Sequence, residues 1–465
     1  MSLANRSLVT TDDLSNQEIE AIFALADEMS GSVNKQLSVC QGKIMASLFF
    51  EPSTRTRLSF ETAMLRLGGE VISAVDVNAT SLAKGESIAD MARVVGSYAD
   101  IIVIRHPWEG AAKVVADHAG VPVINAGDGG HEHPTQTLCD LYTLNKEKQT
   151  IQGLNIAIWG DLKYGRTVHS LAYALARFGA TILFRVSAGL ELPEHVRRKL
   201  TTEYGGELKR YEDLGDEMRK GLLPLDAIYM TPSSPHQLAM MPDIHVRIEL
   251  KKGVDALYVT RLQKERQAEG KALKKDYPVV DKKLLKGKRF RDTLVMHPLP
   301  RVDELAYELD ADPRSMYFKQ AARGVPVRMA LIALLLGAKE VDIPKKEAPS
   351  FAKRAEYPVY RRSFGVRCQN PNCVSVQETE KRYIKPEFKI VEKKPLTLGC
   401  VYCEHETHPQ FVASSEKHKK YHSASRRVLE RIKPEHLIVF DSEKEAQEHE
   451  FTPSQYAQVS TKGAG

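Results

Sequence analysis

Apolar runs of membrane-spanning length are missing from this 465-residue chain. No stretch approaches the roughly 20 apolar residues a helix needs to cross a bilayer, and the start, Met1 to Asp13, is polar rather than leader-like. The expectation is a cytoplasmic protein. Charge of one sign is also scarce, since 66 Lys+Arg against 60 Asp+Glu leave a net +6. That balance suits anionic substrates without requiring nucleic acid. With 42% hydrophobic and 27% charged residues, composition excludes a fibrous architecture and wholesale disorder. Cysteine is sparse. Of six, Cys40 and Cys139 stand alone, while Cys368, Cys373, Cys400 and Cys403 form two close pairs near the end, a pattern that argues for a metal over disulfides.

What is present is a length for two to four domains. From Lys43 to about Gly337, short apolar or β-branched runs alternate with segments of helical period, which predicts a largely parallel sheet covered on both faces. Ile44 to Phe50 reads as a buried strand, Thr54 to Leu67 as a helix, and Gly68-Gly69 as its stop. A second helix carries Ile88, Met91, Ala92 and Val95 on one face. Ile101 to Ile104, Val121 to Ile124 and Leu154 to Trp159 read as further strands, and Arg166 to Phe178 as a helix. The polar stretch Asn145 to Gly153 reads as a hinge between two αβ lobes, with the ligand cleft between them. Asp226 to Thr231 recurs almost unchanged as Asp255 to Thr260, and both copies read as strands. Past the apolar helix Val327 to Leu336, the segment Asp342 to Pro358 reads as a linker, Glu416 to Lys433 as a charged helix, and Phe451 to Gly465 as a disordered tail.

Ser53-Thr54-Arg55-Thr56-Arg57 places hydroxyls, amides and guanidinium forks at a strand-to-helix junction, where the helix dipole favours an anion. A bare Ser/Thr-Arg pair would more often be a helix cap with a solvated arginine. Three hydroxyls, two arginines and a buried strand leading in favour phosphate. Ser81 to Glu86 alone is an ordinary turn with one lysine, Lys84. Arg105 ends a strand at the side of the sheet where α/β ligands bind, although a surface ion pair would look the same. His133-Pro134-Thr135-Gln136 follows the loop Gly127-Asp128-Gly129-Gly130 and opens a helix, which suits an oxygen-rich ligand, whereas a lone histidine is more often structural.

Together, residues 53 to 136 resemble the carbamoyl-phosphate domain of aspartate and ornithine carbamoyltransferases, which share S-T-R-T-R and H-P-T-Q. The resemblance spans nearly all of residues 5 to 340. Gly160 to Thr167, Thr260 to Arg266 and His297-Pro298-Leu299-Pro300-Arg301 are similar to the aspartate-binding motifs, and ornithine enzymes carry H-C-L-P at the last of these. A dicarboxylate also wants bidentate cations, and Arg166 and Arg261 are arginines; an ornithine site would want acids. Lys264 and Glu265 read as an exposed charged turn, and Pro232 to Lys252 as an insertion in the compact family pattern. One lysine, Lys84, stands in a loop where some relatives have two.

The resemblance implies a reaction of carbamoyl phosphate with L-aspartate, an early step of pyrimidine biosynthesis, without a redox cofactor. It implies that Ser53, Thr54, Arg55 and Thr56 hold the phosphate. Arg105, His133 and Thr56 would polarise the carbonyl, and Gln136, Leu299 and Pro300 would hold the carbamoyl group. Arg166, Arg261 and Gln263 would hold the aspartate carboxylates. Ser81 and Lys84 would enter the site of an adjacent subunit, Lys84 touching both substrates, which implies a homotrimer. Another acceptor amino acid, such as ornithine, is the runner-up.

Cys368-x4-Cys373 and Cys400-x2-Cys403, 26 residues apart, supply four thiolates from two knuckles, as in a structural tetrahedral zinc site with no open position. With Asn370-Pro371-Asn372 in the first knuckle, the module resembles the zinc domain of the aspartate carbamoyltransferase regulatory chain. That chain's nucleotide-binding domain would need roughly 100 more residues, so the module is expected to brace the oligomer without nucleotide control. A rival of another class, a zinc-ribbon nucleic-acid binder on an inactive scaffold, rests on Lys417-His418-Lys419-Lys420 and Arg426-Arg427. The expected fold is α/β, with two doubly wound parallel-sheet lobes and a small C-terminal β-rich zinc domain. The expected segments are a carbamoyl-phosphate domain (1–148), an aspartate domain (149–312), a helix returning to the first domain (313–340), a linker (341–365), the zinc domain (366–440) and a tail (441–465).

Overall fold

The computed structural model describes residues 2–32, 35–76, 81–163, 165–186, 190–204, 207–210, 226–231, 255–261, 279–287, 290–342, 357–361, 365–424 and 426–454. In the first lobe, β1 (Ile44–Phe49), β2 (Glu70–Ala74), β3 (Ile101–His106) and β4 (Val123–Asp128) form a parallel sheet in the order β2-β1-β3-β4. β3 and β4 are buried throughout, which is why a parallel sheet reads as apolar runs instead of alternation. Around it lie α1 (Asn16–Ser30), α2 (Thr54–Arg66), α3 (Ile88–Gly96), α4 (Ala111–His118) and α5 (Pro134–Lys148). Ser15 and Glu18 close a reciprocal capping box at the start of α1.

The second lobe holds β5 (Asn155–Gly160), β6 (Thr181–Val186), β7 (Glu207–Arg210), β8 (Ala227–Met230), β9 (Ala256–Val259) and β10 (Leu294–Met296), parallel in the order β10-β9-β8-β5-β6-β7. Its helices are α6 (Arg166–Arg177), α7 (Glu194–Arg198) and α8 (Lys282–Leu285). α9 (Tyr317–Leu335) then packs back on α1, α2 and α5, so one buried cluster runs from the first lobe into the second. Among the described residues, no helix is long and apolar enough to cross a membrane.

The last module has two antiparallel-based sheets. One joins β11 (Val359–Arg361), β12 (Glu387–Lys393), β13 (Leu396–Cys400) and β14 (Glu406–Thr407). The other orders β15 (Phe411–Ala413), β16 (Lys420–Ser423), β17 (Ile438–Phe440) and β18 (Thr452–Pro453) as β17-β15-β16-β18. Between strands run α10 (Val374–Gln377), α11 (Arg426–Leu429) and α12 (Glu443–Glu448).

The structure revises several expectations. α5 continues to Lys148, so Asn145 to Lys148 belong to a helix and only the residues after it connect the lobes. Glu416 to Lys433 is not one helix, because Tyr421 is buried in β16 and, among the described residues of this range, only Arg426–Leu429 is α-helical. The module is wider than 366–440: β11 pairs with β12, β18 pairs with β16, and Phe451 is buried against Phe440. Residues 343–356 of the expected linker, the whole insertion 232–252 and residues 455–465 of the tail lie outside the described residues.

The module is seated on both lobes. Its apolar side chains, Cys373, Val374, Leu398 and Tyr402 among them, share a buried cluster with Ile102, Ile104 and Val115 of the first lobe. Glu109 N–H donates to the Asn372 carbonyl (2.9 Å), and Val374 N–H donates to the Glu109 carbonyl (2.8 Å). Gly110 permits this approach, since a Cβ there would lie 2.6 Å from Cβ of Tyr402. From the second lobe, Arg198 pairs with Glu392 (2.6 Å) and Glu406 (2.9 Å). Lys199, fully enclosed, reaches Asp12 and Glu404, both at 2.9 Å.

Candidate active site

A cleft of about 340 Å³ opens at the carboxyl ends of the first lobe's strands and is closed on its far side by the second lobe. β1 delivers the chain to α2, whose first turn carries Ser53 to Thr56 into the cleft lining. Ser53 occupies the N-cap position, yet its hydroxyl makes no capping bond, so the turn's amide donors and its dipole stand open to an anion. Burial lowers the pKa of Arg55, and the charge of Arg261 lowers it further. Two guanidinium groups from opposite lobes thus repel one another across a space that an anion would neutralise. Arg57 is not brought into the cleft lining; its Nε lies 3.7 Å from Glu61, which also accepts from the hydroxyls of Ser47 and Ser73.

Arg105 leaves the end of β3 and is held by Glu51 (3.2 Å) and the Ala126 carbonyl (3.3 Å). His133 is the N-cap residue of α5, with Pro134 in the first turn. Its backbone N–H donates to Oγ of Ser170 on α6 (3.2 Å), which ties the start of α5 to the second lobe. Gln136, one turn on, also lines the cleft. Leu299 and Pro300, joined by a cis peptide, form the opposite wall. His297 fixes that wall: its N–H donates to Gln320 Oε1 (3.0 Å), Nδ1 accepts the Leu299 N–H (2.8 Å), and Nε2 contacts Glu304 (2.7 Å). Burial lowers the pKa of this imidazole, and an accepting Nδ1 leaves its proton on Nε2, facing Glu304.

The remaining expected residues divide. Arg261 lines the cleft. Arg166 begins α6 beside the lining residue Thr167, but its side chain lies outside the described atoms, and Gln263 lies outside the described residues altogether. Ser81 and Lys84 sit in an exposed 3-10 turn and are absent from the cleft lining of their own chain.

Arg328 was not foreseen from sequence. It is buried, lines the cleft, and stacks 4.9 Å from the Phe60 ring. Gly324 gives it room, because a Cβ there would lie 2.2 Å from Nη1. The available signal was a lone arginine within the apolar run Val325 to Leu336.

In the C-terminal module, Cys368, Cys373, Cys400 and Cys403 are buried, with all four sulfurs within 4.8 Å of one another. Cys368 and Cys403 are 3.5 Å apart, and Cys373 and Cys400 are 3.8 Å apart. Four sulfurs at about 2.3 Å from a tetrahedral metal would be about 3.8 Å apart. The set therefore fits zinc-like tetrahedral coordination and leaves no position for a substrate.

Comparison with known proteins agrees with this division. Residues 6–146 match the aspartate/ornithine carbamoyltransferase carbamoyl-P binding domain, and residues 152–335 match the Asp/Orn binding domain of the same family. Residues 362–412 match the metal binding domain of the aspartate carbamoyltransferase regulatory chain. The chain is 45% identical over 341 residues to an aspartate carbamoyltransferase catalytic subunit of Clostridium botulinum, covering 72% of this chain and 100% of that one. Among solved structures, the catalytic subunit of M. jannaschii aspartate transcarbamoylase aligns with a TM-score of 0.56 at 42% identity, over 71% of this chain and 98% of that one. Trypanosoma cruzi aspartate transcarbamoylase in complex with carbamoyl phosphate and aspartate aligns with a TM-score of 0.58 at 35% identity, over 72% and 98%. This chain belongs to the aspartate/ornithine carbamoyltransferase family, and the same polypeptide carries the metal-binding domain of the aspartate carbamoyltransferase regulatory chain.

Proposed function

We propose that the chain transfers the carbamoyl group of carbamoyl phosphate to L-aspartate, giving N-carbamoyl-L-aspartate and phosphate, an early step of pyrimidine biosynthesis. The observation that carries this reading is the facing of Arg55, at an open helix N-terminus, by Arg261 from the other lobe, with Arg105 and Arg328 in the same cleft. Two anionic substrates would be bound side by side there. Ornithine would bring an ammonium group into this cationic space, which disfavours it as acceptor. The nucleic-acid reading loses ground because Lys420 lies in the small β16 sheet and Lys419 pairs with Glu450.

Ser53, Thr54, Arg55 and Thr56 hold the phosphate, and Gln136, Leu299 and Pro300 hold the carbamoyl group. Arg166, Arg261 and Gln263 hold the aspartate carboxylates. The amine lone pair attacks the carbonyl carbon, a C–N bond forms, and the oxyanion is stabilised by Arg105, His133 and Thr56. The C–O bond to phosphate then breaks, and the proton lost by the amine leaves with phosphate. Positioning and charge stabilisation suffice, so no covalent enzyme intermediate is formed. The reading carries with it a cytoplasmic homotrimer in which Ser81 and Lys84 complete a neighbour's site. It also makes zinc the metal of the four cysteines, with a structural role.

The test is a colorimetric assay of ureido product with carbamoyl phosphate and a panel of amino acids. Aspartate alone should react. Product from ornithine, or none from aspartate, would overturn the reading.

A further inference from the structure

Beneath the cleft lies a carboxylate that the mechanism above does not use. Asp140, on α5, is 1% exposed and accepts three hydrogen bonds, each from a different part of the chain. Gln136 Nε2 donates to Oδ1 (2.8 Å) from the same helix one turn earlier. Gln320 Nε2 donates to the same oxygen (2.7 Å) from α9. The Tyr258 hydroxyl donates to Oδ2 (2.9 Å) from β9 in the second lobe. Each donor continues to a wall of the cleft. Gln136 is itself in the lining, and binding Nε2 to the carboxylate turns its other amide atom, the acceptor Oε1, away from Asp140. Gln320 passes the constraint to the His297 amide and so to Leu299 and Pro300.

The third branch runs through the duplicated strands. Tyr229 and Tyr258 occupy the same position in the two copies and pair directly across the parallel strands β8 and β9. Their rings stack with centroids 4.3 Å apart and planes 13° apart. The Tyr229 hydroxyl lies 3.1 Å from Oγ1 of Thr167, in the first turn of α6 next to Arg166. A path of contacts therefore runs from Asp140 through both tyrosines to the second-lobe wall.

We propose that Asp140 is a positioning residue for carbamoyl transfer, holding Gln136, the 297–300 wall and the start of α6 in register across the cleft. The proposal rests on the assignment of the cleft to carbamoyl transfer. Its mechanism is hydrogen-bond polarity: a carboxylate accepts from all three donors at once, whereas an amide in its place turns one atom into a donor facing another donor. Burial raises the Asp140 pKa to about 6, opposed by the bonds from Gln320, Tyr258 and Gln136 and by the Arg328 cation. The other titratable groups facing it are Tyr258 and Tyr229 from the second lobe and the thiol of Cys139 on its own helix. Protonation as the pH falls through about 6 removes one acceptor, so the acid side of the activity profile should carry a contribution from this residue.

The experiment measures kcat, both KM values and the pH profile from 5 to 9 for the wild type, Asp140→Asn, Gln136→Ala, the double variant and Tyr258→Phe, with a thermal melt of each. Asp140→Asn should lose about tenfold to hundredfold in kcat/KM for carbamoyl phosphate, as for a misplaced reacting group. The double variant should lose less than the two single losses combined, because part of the Asp140 effect passes through Gln136. The acid limb near pH 6 should weaken in Asp140→Asn, and Tyr258→Phe should chiefly raise the aspartate KM. Where Asp140→Asn fails to fold, Tyr258→Phe and Gln136→Ala decide. Additive losses, an unchanged acid limb, or a Tyr258→Phe enzyme with wild-type KM values would overturn the inference. A wild type that forms no ureido product would instead overturn the assignment of the cleft, leaving the two failures distinct.

Discussion

Toward the second lobe, the first lobe leaves a polar cleft in which Arg55, Arg105, Arg261 and Arg328 gather. Toward the metal-binding module it shares a buried apolar cluster, and the second lobe adds charges matched at contact distance. Like charges left facing one another are an unfavourable arrangement that a bound anion relieves; opposite charges buried together are a joint that resists opening. The same lobe thus borders the candidate site on one side and a packed joint on the other. Substitutions at the two should separate activity from stability.

The largest expected effect is on the side of the joint. Binding of a structural zinc to such cysteines contributes on the order of 10 kcal/mol to folding. Replacing Cys373 by Ser, or stripping the metal with a strong chelator, should abolish amide protection across β12 to β17, read by hydrogen exchange. Full protection without metal would break the comparison. Next comes Lys199→Met, which leaves the buried Glu132 and the part-buried Asp12 and Glu404 without their shared cation. Removing one partner of a buried pair costs about 3–5 kcal/mol, so the melting temperature should fall clearly. A variant as stable as wild type would show that this joint contributes nothing.

On the cleft side the pattern should invert. Arg55 is part open to solvent at the cleft and faces the like charge of Arg261, so Arg55→Ala should melt like wild type while turnover drops on the order of a hundredfold or more, as for loss of a preorganised charge donor. The smallest effect is a pH dependence at the joint. Burial pushes the His131 pKa down, but Asp128 at 3.0 Å, with Glu404 and Glu132, carries it up to about 10. A raised value means that the charged form stabilises the fold. That stability is fully present below the ordinary 6.5 and is lost as the pH rises through about 10. His131→Asn should flatten the fall of melting temperature between pH 7 and 10, and an unchanged slope would remove His131 from the joint.

The strands and the turn that lines the cleft were legible because they depend on local pattern: a buried apolar run, then hydroxyls and arginines at a helix start. The four cysteines were legible for the same reason. The end of α5 was missed because Asn145-Lys146-Glu147-Lys148 looks like a loop by polarity, although Glu147 is fixed by Arg323 of α9 (2.5 Å). β16 was missed because only Tyr421 of its four residues is buried, so its polar sequence resembles an exposed helix. Asp140, Arg328 and Lys199 were invisible for a different reason, since their partners lie in other segments and only the fold brings them together. The duplicated strands could be read as strands, but the stacking of Tyr229 on Tyr258 follows from their adjacency in the sheet.

The most direct test of the cleft assignment is a calorimetric titration of carbamoyl phosphate into Arg55→Ala and Arg261→Ala. If the first lobe holds the phosphate and the second the dicarboxylate, binding should be lost in Arg55→Ala and kept in Arg261→Ala. Binding kept in Arg55→Ala and lost in Arg261→Ala would contradict the account.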